Sequence, residues 1–338
     1  MRNAQVPTRL SSCRSMPVSE LRVAQRPFPG AAYTLSEIAV AIDPPGPTSP
    51  GWASMAVPLL RKARAAGVTT FDLAATVSPR LAEEIFVRAF PERDPALVAI
   101  VGAEDRSAHR HPAPARGAGS SAVSADRPVE GTLARLGDRC RAIVEWDPAD
   151  RGGTGGSRPP EALEMLRRSG RVLDIAVPIR TGKTHGDSGP AALRSGALSL
   201  LELDIVNAAR RAETPAGFSL LARDVFASGS LDGTLLAGSP LSRSPAEPPT
   251  SLATLHARLD PVLGLSFLTE RTGRTLAQAA LQFALHWPWV RTAVVPLPTP
   301  ERFSSIVGAP RGPPLTEEDL LRIGVEPSAG PPPSARTD

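Results

Sequence analysis

The chain has 338 residues, 41% of them apolar, with 28 glycines and 37 prolines. That is length for one large α/β domain or two modest ones, with enough apolar material for a core, which excludes a chain disordered throughout. Two cysteines, Cys13 and Cys140, exclude a disulfide framework or a cysteine-only metal centre, and a net charge of +4 raises nucleic-acid binding as a question.

The first 32 residues lack an apolar stretch of secretory type and read as a flexible tail. TLSEIAVAI (34–42) reads as one strand, and ASMAVPLLRKARAAG (53–67) as an amphipathic helix. Met55, Leu59, Leu60 and Ala63 fall on its apolar face, and Gly67 stops it. VTTFDLA (68–74) is a strand, Pro79 opens a second helix, and ALVAIVG (96–102) is an apolar run suited to a parallel sheet. These elements make a βαβαβ unit.

Residues 103–130 are polar and rich in Ala, Pro, Gly and Ser, an insertion in place of a helix. Alternation resumes with CRAIVEW (140–146), the helix PPEALEMLRRSG (159–170), VLDIAVP (172–178), LSLLELDIVNA (198–208) and GFSLLARDV (217–225). A second low-complexity insertion spans 237–250. TLAQAALQFALHW (275–287) then leads into VRTAVVPL (290–297), and Thr316 with Asp319 forms the capping pattern of a final helix. Residues 326–338 read as a disordered tail. Seven or eight strands alternating with helices, without a midpoint linker, favour a single (β/α)8 TIM barrel over residues 33–325. The rival open sheet lacks its Gly-x-Gly-x-x-Gly turn.

Several segments carry a family resemblance. LSEIAVAI, AGVTTFDLA with LAEEIFVRAF, EALEMLRRSGRVLDIAV, LELDIVNAARR, SLLARDVFASGSLDG and TLAQAALQFALHWPWVRTAVVPLPTPERF, in that order, resemble the aldo-keto reductases over about residues 34–323. The resemblance implies a (β/α)8 barrel, NADP or NAD as cofactor, and carbonyl reduction by an Asp, Tyr, Lys and His set. In such a set hydride adds to carbon while a positioned acid protonates the developing alkoxide.

Carried over residue by residue, Asp72 matches the aspartate, but Val77, Gly102 and Glu145 stand at the tyrosine, lysine and histidine positions. The single tyrosine, Tyr33, precedes the first strand and so belongs at the face opposite the catalytic loops. The resemblance puts cofactor contacts at Asn207, Arg223 and Arg302, with Leu297 where a glycine is usual. Asp72 and Glu145 are the candidate catalytic residues. As a pair they form an acid/base set; the plainer reading makes Asp72 an acceptor for backbone N–H groups and pairs Glu145 with an arginine.

Other groups carry less. Lys183 and His185 lie in TGKTHG, which is not a P-loop because Val177 stands where its first glycine belongs. His109 and His111 lie in the low-complexity stretch and make a weak metal signal, His256 and His286 lie in helical contexts, and Trp287 and Trp289 suit a barrel rim. Lys62 and Lys183 are the only lysines among 38 basic residues, and the arginines are scattered, which argues against nucleic acid and toward compositional bias. With no long apolar span the reading is cytoplasmic by default. The functional expectation is a barrel without standard carbonyl reductase chemistry, serving as a binding or partner protein for an unidentified small molecule or protein. The alternative is an NAD(P)H-dependent oxidoreductase using Asp72 and Glu145.

Overall fold

Side chains alternate between the two faces of each strand, so a closed barrel has one set lining the bore and another facing the helices. The computed structural model describes residues 21–28, 32–43, 51–76, 78–103, 126–147, 159–179, 198–202, 205–206, 219–232, 259–270 and 272–325. In chain order the elements are β1 (Gln25–Pro27), β2 (Thr34–Ser36), β3 (Ile38–Ala41), α1 (Trp52–Ala65), β4 (Thr70–Asp72), α2 (Pro79–Ala89) and β5 (Val98–Gly102). There follow α3 (Asp126–Leu136), β6 (Arg141–Glu145), α4 (Glu161–Arg168), β7 (Asp174–Ile179), β8 (Leu198–Glu202) and β9 (Leu220–Arg223). The chain continues through α5 (Phe267–Glu270), α6 (Leu276–His286), β10 (Val290–Pro296), α7 (Pro300–Val307) and α8 (Glu317–Ile323).

Strands β3 to β10 pair in parallel, each with the next, and β10 returns to β3 to close the barrel. This is the (β/α)8 architecture expected from the alternation of elements. Ile38, Val40, Phe71, Ala99, Val101 and Val144 face outward and join the helices in the larger core. Val98, Ile100, Ile143, Ala176, Leu198, Leu200 and Leu221 point inward and fill the bore. The same inward parity, carried to the C-terminal ends of β4, β6 and β9, falls on Asp72, Glu145 and Arg223.

The segment 34–42, expected as one strand, is two. β2 ends at Ser36, whose hydroxyl donates to Ile38 O (2.6 Å) and accepts from the Thr69 and Thr70 N–H groups (both 3.0 Å). β2 then pairs antiparallel with β1, so residues 21–28 are not tail: they are part of a hairpin across the N-terminal end of the barrel. Leu21 is fully buried, Phe28 stacks on Tyr33 at 5.0 Å, and Arg26 donates to the carbonyls of Val290 (2.8 Å) and Leu285 (3.1 Å). A short run with an internal proline gives no periodic signal, which is why sequence reading passes over it.

Two other expectations change. Met55 sits at the margin of the α1 face and is exposed, while Ala56 takes the buried position. On the same helix Lys62 is half-buried, with Nζ 4.5 Å from the centre of the Phe303 ring. Residues 126–130, read as part of an insertion, begin helix α3. That helix is held to α2 by buried Glu83, which accepts from Thr132 Oγ1 (2.8 Å) and pairs with Arg135. The Thr316–Asp319 capping box forms as expected, and a second joins Thr275 to Gln278. Residues 104–125 and 237–250 of the two insertions lie outside the described residues.

Candidate functional site

At the C-terminal mouth, three charged side chains from three strands converge. Arg223 reaches from β9 across the bore; Nε donates to Asp72 Oδ2 (2.8 Å) and Nη1 to Glu145 Oε2 (2.7 Å). Nη2 also lies 2.7 Å from Asp72 Oδ2, but its N–H is not aligned on that oxygen. It is therefore an ionic contact rather than a second hydrogen bond. The other oxygen, Oδ1, accepts from the backbone N–H groups of Ala74 (2.9 Å) and Ala75 (3.1 Å). Both Asp72 oxygens are thus engaged.

Burial sets the energetics. Side-chain exposure is 0% for Asp72, 2% for Glu145 and 15% for Arg223. Burial by itself lowers an arginine's pKa, but the Asp72 and Glu145 carboxylates outweigh it and drive that of Arg223 above its already high usual value. The guanidinium is a fixed cation. Two carboxylates around it leave the cluster with a formal excess of one negative charge.

Sequence reasoning places Asp72 and Glu145 at the mouth and assigns Arg223 to the cofactor end; the structure brings all three into one cluster. It has the geometry of the plainer reading, with Asp72 accepting backbone N–H groups and Glu145 paired with an arginine. What sequence reading misses is the identity of that arginine. Two residues beyond inward-facing Leu221, Arg223 must also face inward, and that parity was the available signal.

Tyr33 lies at the other end of the bore. Its hydroxyl donates to Asp174 Oδ2 at 3.2 Å, beneath the inner cluster. Burial, with the Asp174 charge added, pushes its pKa far up, so the phenol is held protonated. Burial likewise raises the pKa of Asp174, against the lowering effect of hydrogen bonds from Ile175 N–H and the Tyr33 hydroxyl.

The remaining candidates are dispersed. Arg302, in the first turn of α7, donates from Nη1 to Asp232 O (2.6 Å), linking the loop after β9 to that helix. Leu297 follows β10 and donates its N–H to Ala41 O (3.2 Å). Asn207, Val77, Lys183, His185, His109, His111 and His256 lie outside the described residues. His286 is exposed, with its pKa lowered by partial burial, and stands edge-on to Trp287, which stacks on Trp289 at 4.9 Å. Among the described residues no helix is long and apolar enough to cross a membrane.

The residues present do not fit a dinucleotide phosphate at the start of α7, the place the resemblance implies. The Glu301 carboxylate accepts from its own backbone N–H and from the Thr299 hydroxyl, which lowers its pKa and sets a negative charge at that terminus. Leu297 supplies a side chain where a close backbone approach would need none, and one nitrogen of Arg302 is already committed.

A closed parallel barrel with an ion-bridged mouth is therefore what fold and site define. No family model matches the sequence, and no curated protein does. Solved structures do. An aldo-keto reductase of Bacillus halodurans is similar in its apo form (TM-score 0.61, 17% identity, 90% of this chain and 95% of that one). Its holo form gives a TM-score of 0.63 at 18% identity, covering 90% and 96%. The glycerol dehydrogenase of Gluconobacter oxydans gives 0.60 at 16% identity, covering 89% and 94%. At such identities the likeness is one of fold alone: the chain has an aldo-keto-reductase-like (β/α)8 barrel.

Proposed function

We propose that this chain is an aldo-keto-reductase-like barrel without standard carbonyl reductase activity, acting as a binding or partner protein. The observation that carries the reading is the Arg223 guanidinium held by both Asp72 and Glu145 at the mouth. In the reductases, by the resemblance, a lysine pairs with the aspartate and a tyrosine delivers the proton. Here Gly102 stands at the lysine position, and an arginine from the far side of the bore supplies the cation. It balances the charge of Asp72 but offers no transferable proton near neutral pH. The one phenol in the chain is committed to Asp174 at the opposite end. Loss of a positioned general acid costs about 10²–10⁴-fold in rate.

Asp72 and Glu145 as an acid/base pair are the weaker reading, because the pair needs oxygen lone pairs free to meet substrate. Both oxygens of Asp72 are taken, and Oε2 of Glu145 is held by Arg223. NADPH titration followed by fluorescence, with NADPH consumption measured over aldehydes and ketones, tests the proposal. We expect no turnover above background and no saturable signal up to about 1 mM, the range of weak cofactor binding. Saturable binding with catalytic consumption that Asp72→Asn abolishes would overturn it.

A further inference from the structure

Two opposite charges sit on neighbouring strands at the floor of the bore without pairing. Arg141 opens β6 and Asp174 opens β7; both are half-buried, and the inward parity of Ile143 and Ala176 sends both side chains into the bore. Ile143 is the register partner of Asp174, so Arg141 lies one diagonal step below Asp174 on the next strand. Two residues along a strand and one strand across put their Cα atoms about 8 Å apart, a gap that an arginine side chain spans. Yet Arg141 Nε is buried with no hydrogen-bond partner, and among the described residues neither Arg141 nor Asp174 takes part in an ion pair.

The N-terminal hairpin accounts for the missing pair. It brings Tyr33 to the Asp174 carboxylate, where the phenol donates to Oδ2 (3.2 Å) while Ile175 N–H donates to Oδ1 (2.8 Å). The Arg141 charge acts on the same phenol, so the ring stands near both groups. The other charges acting on Asp174 are Arg167 and Glu164 of α4, which hydrogen-bond each other (2.9 Å). Asp174 thus holds a neutral hydroxyl where a half-buried carboxylate favours a cation, and the buried Arg141 N–H has no acceptor. Both groups would gain by pairing, and Tyr33 occupies the oxygen they would use.

The hairpin is also able to leave as a unit. β1 and β2 pair only with each other, outside the closed ladder of the barrel, so lifting them breaks no barrel strand pair. We propose that the hairpin is a releasable plug. Its seated form, with Tyr33 on Asp174, exchanges with a lifted form in which Arg141 takes the Asp174 carboxylate and the N-terminal end of the bore is uncovered. The device is independent of what the mouth binds. It makes Arg141 an opener: deleting the guanidinium removes a competitor for Asp174 and favours the seated plug, the reverse of what loss of a structural arginine does.

Amide hydrogen exchange on the full chain tests this. The plug is read at the Val23, Phe28 and Glu37 N–H groups, bonded to Ala66, Tyr33 and Ala24 carbonyls, and the barrel at Leu73 and Val98, bonded to Ile100 and Thr69 carbonyls. The plug amides should exchange at least about tenfold faster than the barrel amides, through local opening. Tyr33→Phe, which deletes a hydrogen bond to a carboxylate, should speed them about tenfold further. Arg141→Met should slow them several-fold. Asp174→Asn, whose amide oxygen still accepts from Tyr33, should do the same. The two changes together should slow them no more than either alone, because each removes the same pair. Unchanged or faster plug exchange in Arg141→Met, additive effects of the two changes, or plug amides that exchange only as fast as the barrel would overturn the proposal. The seated form does not need the Arg141 charge, so an Arg141→Met chain that fails to fold would overturn it as well.

Discussion

Arg223→Met removes the cation that joins Asp72 to Glu145 while keeping most of the side-chain volume. Breaking a buried ion pair by deleting one partner costs about 3–5 kcal/mol, because the remaining charge stays buried and unmatched. Here two carboxylates at 0% and 2% exposure lose the guanidinium, although Asp72 keeps its two backbone N–H donors. The upper part of that range applies, about 4–5 kcal/mol out of a total of about 5–15 kcal/mol for a folded domain. For a cooperative unit of this length each kcal/mol moves the midpoint by about 1–2 °C, so the variant should melt roughly 6 °C lower. With the guanidinium gone the two buried carboxylates also repel, and one of them takes up a proton in the fold more readily than in the unfolded chain. Its raised folded-state pKa makes stability fall as pH rises, so the deficit should be greatest near pH 8 and shrink toward pH 5. Urea unfolding followed by tryptophan fluorescence at several pH values reads both effects. A loss below about 1 kcal/mol, or one independent of pH, would refute an energetically coupled cluster.

Other positions give sharper local tests. Glu83→Gln leaves Arg135 without its carboxylate at the α2–α3 contact, and half-exposure of Arg135 limits the loss to about 1–3 kcal/mol, measured by urea unfolding. Asp174 has its folded pKa raised chiefly by burial, so the fold binds more protons than the unfolded chain just above the ordinary carboxylate range, and stability declines with pH through that window. Asp174→Asn should remove that decline and leave the protein more stable at neutral pH than the parent, as followed by thermal melts. Gly67 has φ +97°, and a Cβ there would lie 3.1 Å from the Val23 carbonyl oxygen; Gly67→Ala should cost about 2 kcal/mol in the same unfolding assay.

The barrel was legible because its information is local and repeated. A short apolar run such as ALVAIVG or the AVV of VRTAVVPL needs only a few residues to register, and strand after helix leaves few topologies. Met55 falls outside the buried face because a helical face has soft edges: Met55 lies at the margin of the arc through Ala56, Leu59, Leu60 and Ala63, and only packing decides which edge is covered. The N-terminal hairpin is illegible for a different reason. Gln25–Pro27 has no pattern of its own and becomes ordered because Phe28, Tyr33 and Leu35 close the open end of an apolar bore. The mouth was half legible. Asp72 and Glu145 follow from strand-end position, but that Arg223 spans the bore to both depends on barrel closure, which brings together residues up to 151 positions apart in the chain.

Whether the ion cluster serves the fold or a ligand can be separated by removing all three charges at once. Neutral groups of similar shape lose the attraction and the desolvation penalty together, and such replacements of buried ion clusters are often neutral or stabilising by about 1–4 kcal/mol. Arg223→Met combined with Asp72→Asn and Glu145→Gln should therefore recover most of the stability lost in Arg223→Met alone. The Ala74 and Ala75 N–H groups would still find the amide oxygen of the substituted residue 72. Recovery by urea unfolding would mean that the three charges add little to stability as a set, and that a polar ligand at the mouth is the function to seek for them. A triple variant as unstable as Arg223→Met would instead make the cluster a structural brace across the bore, the role a barrel needs most where its β9 end is not filled by apolar side chains.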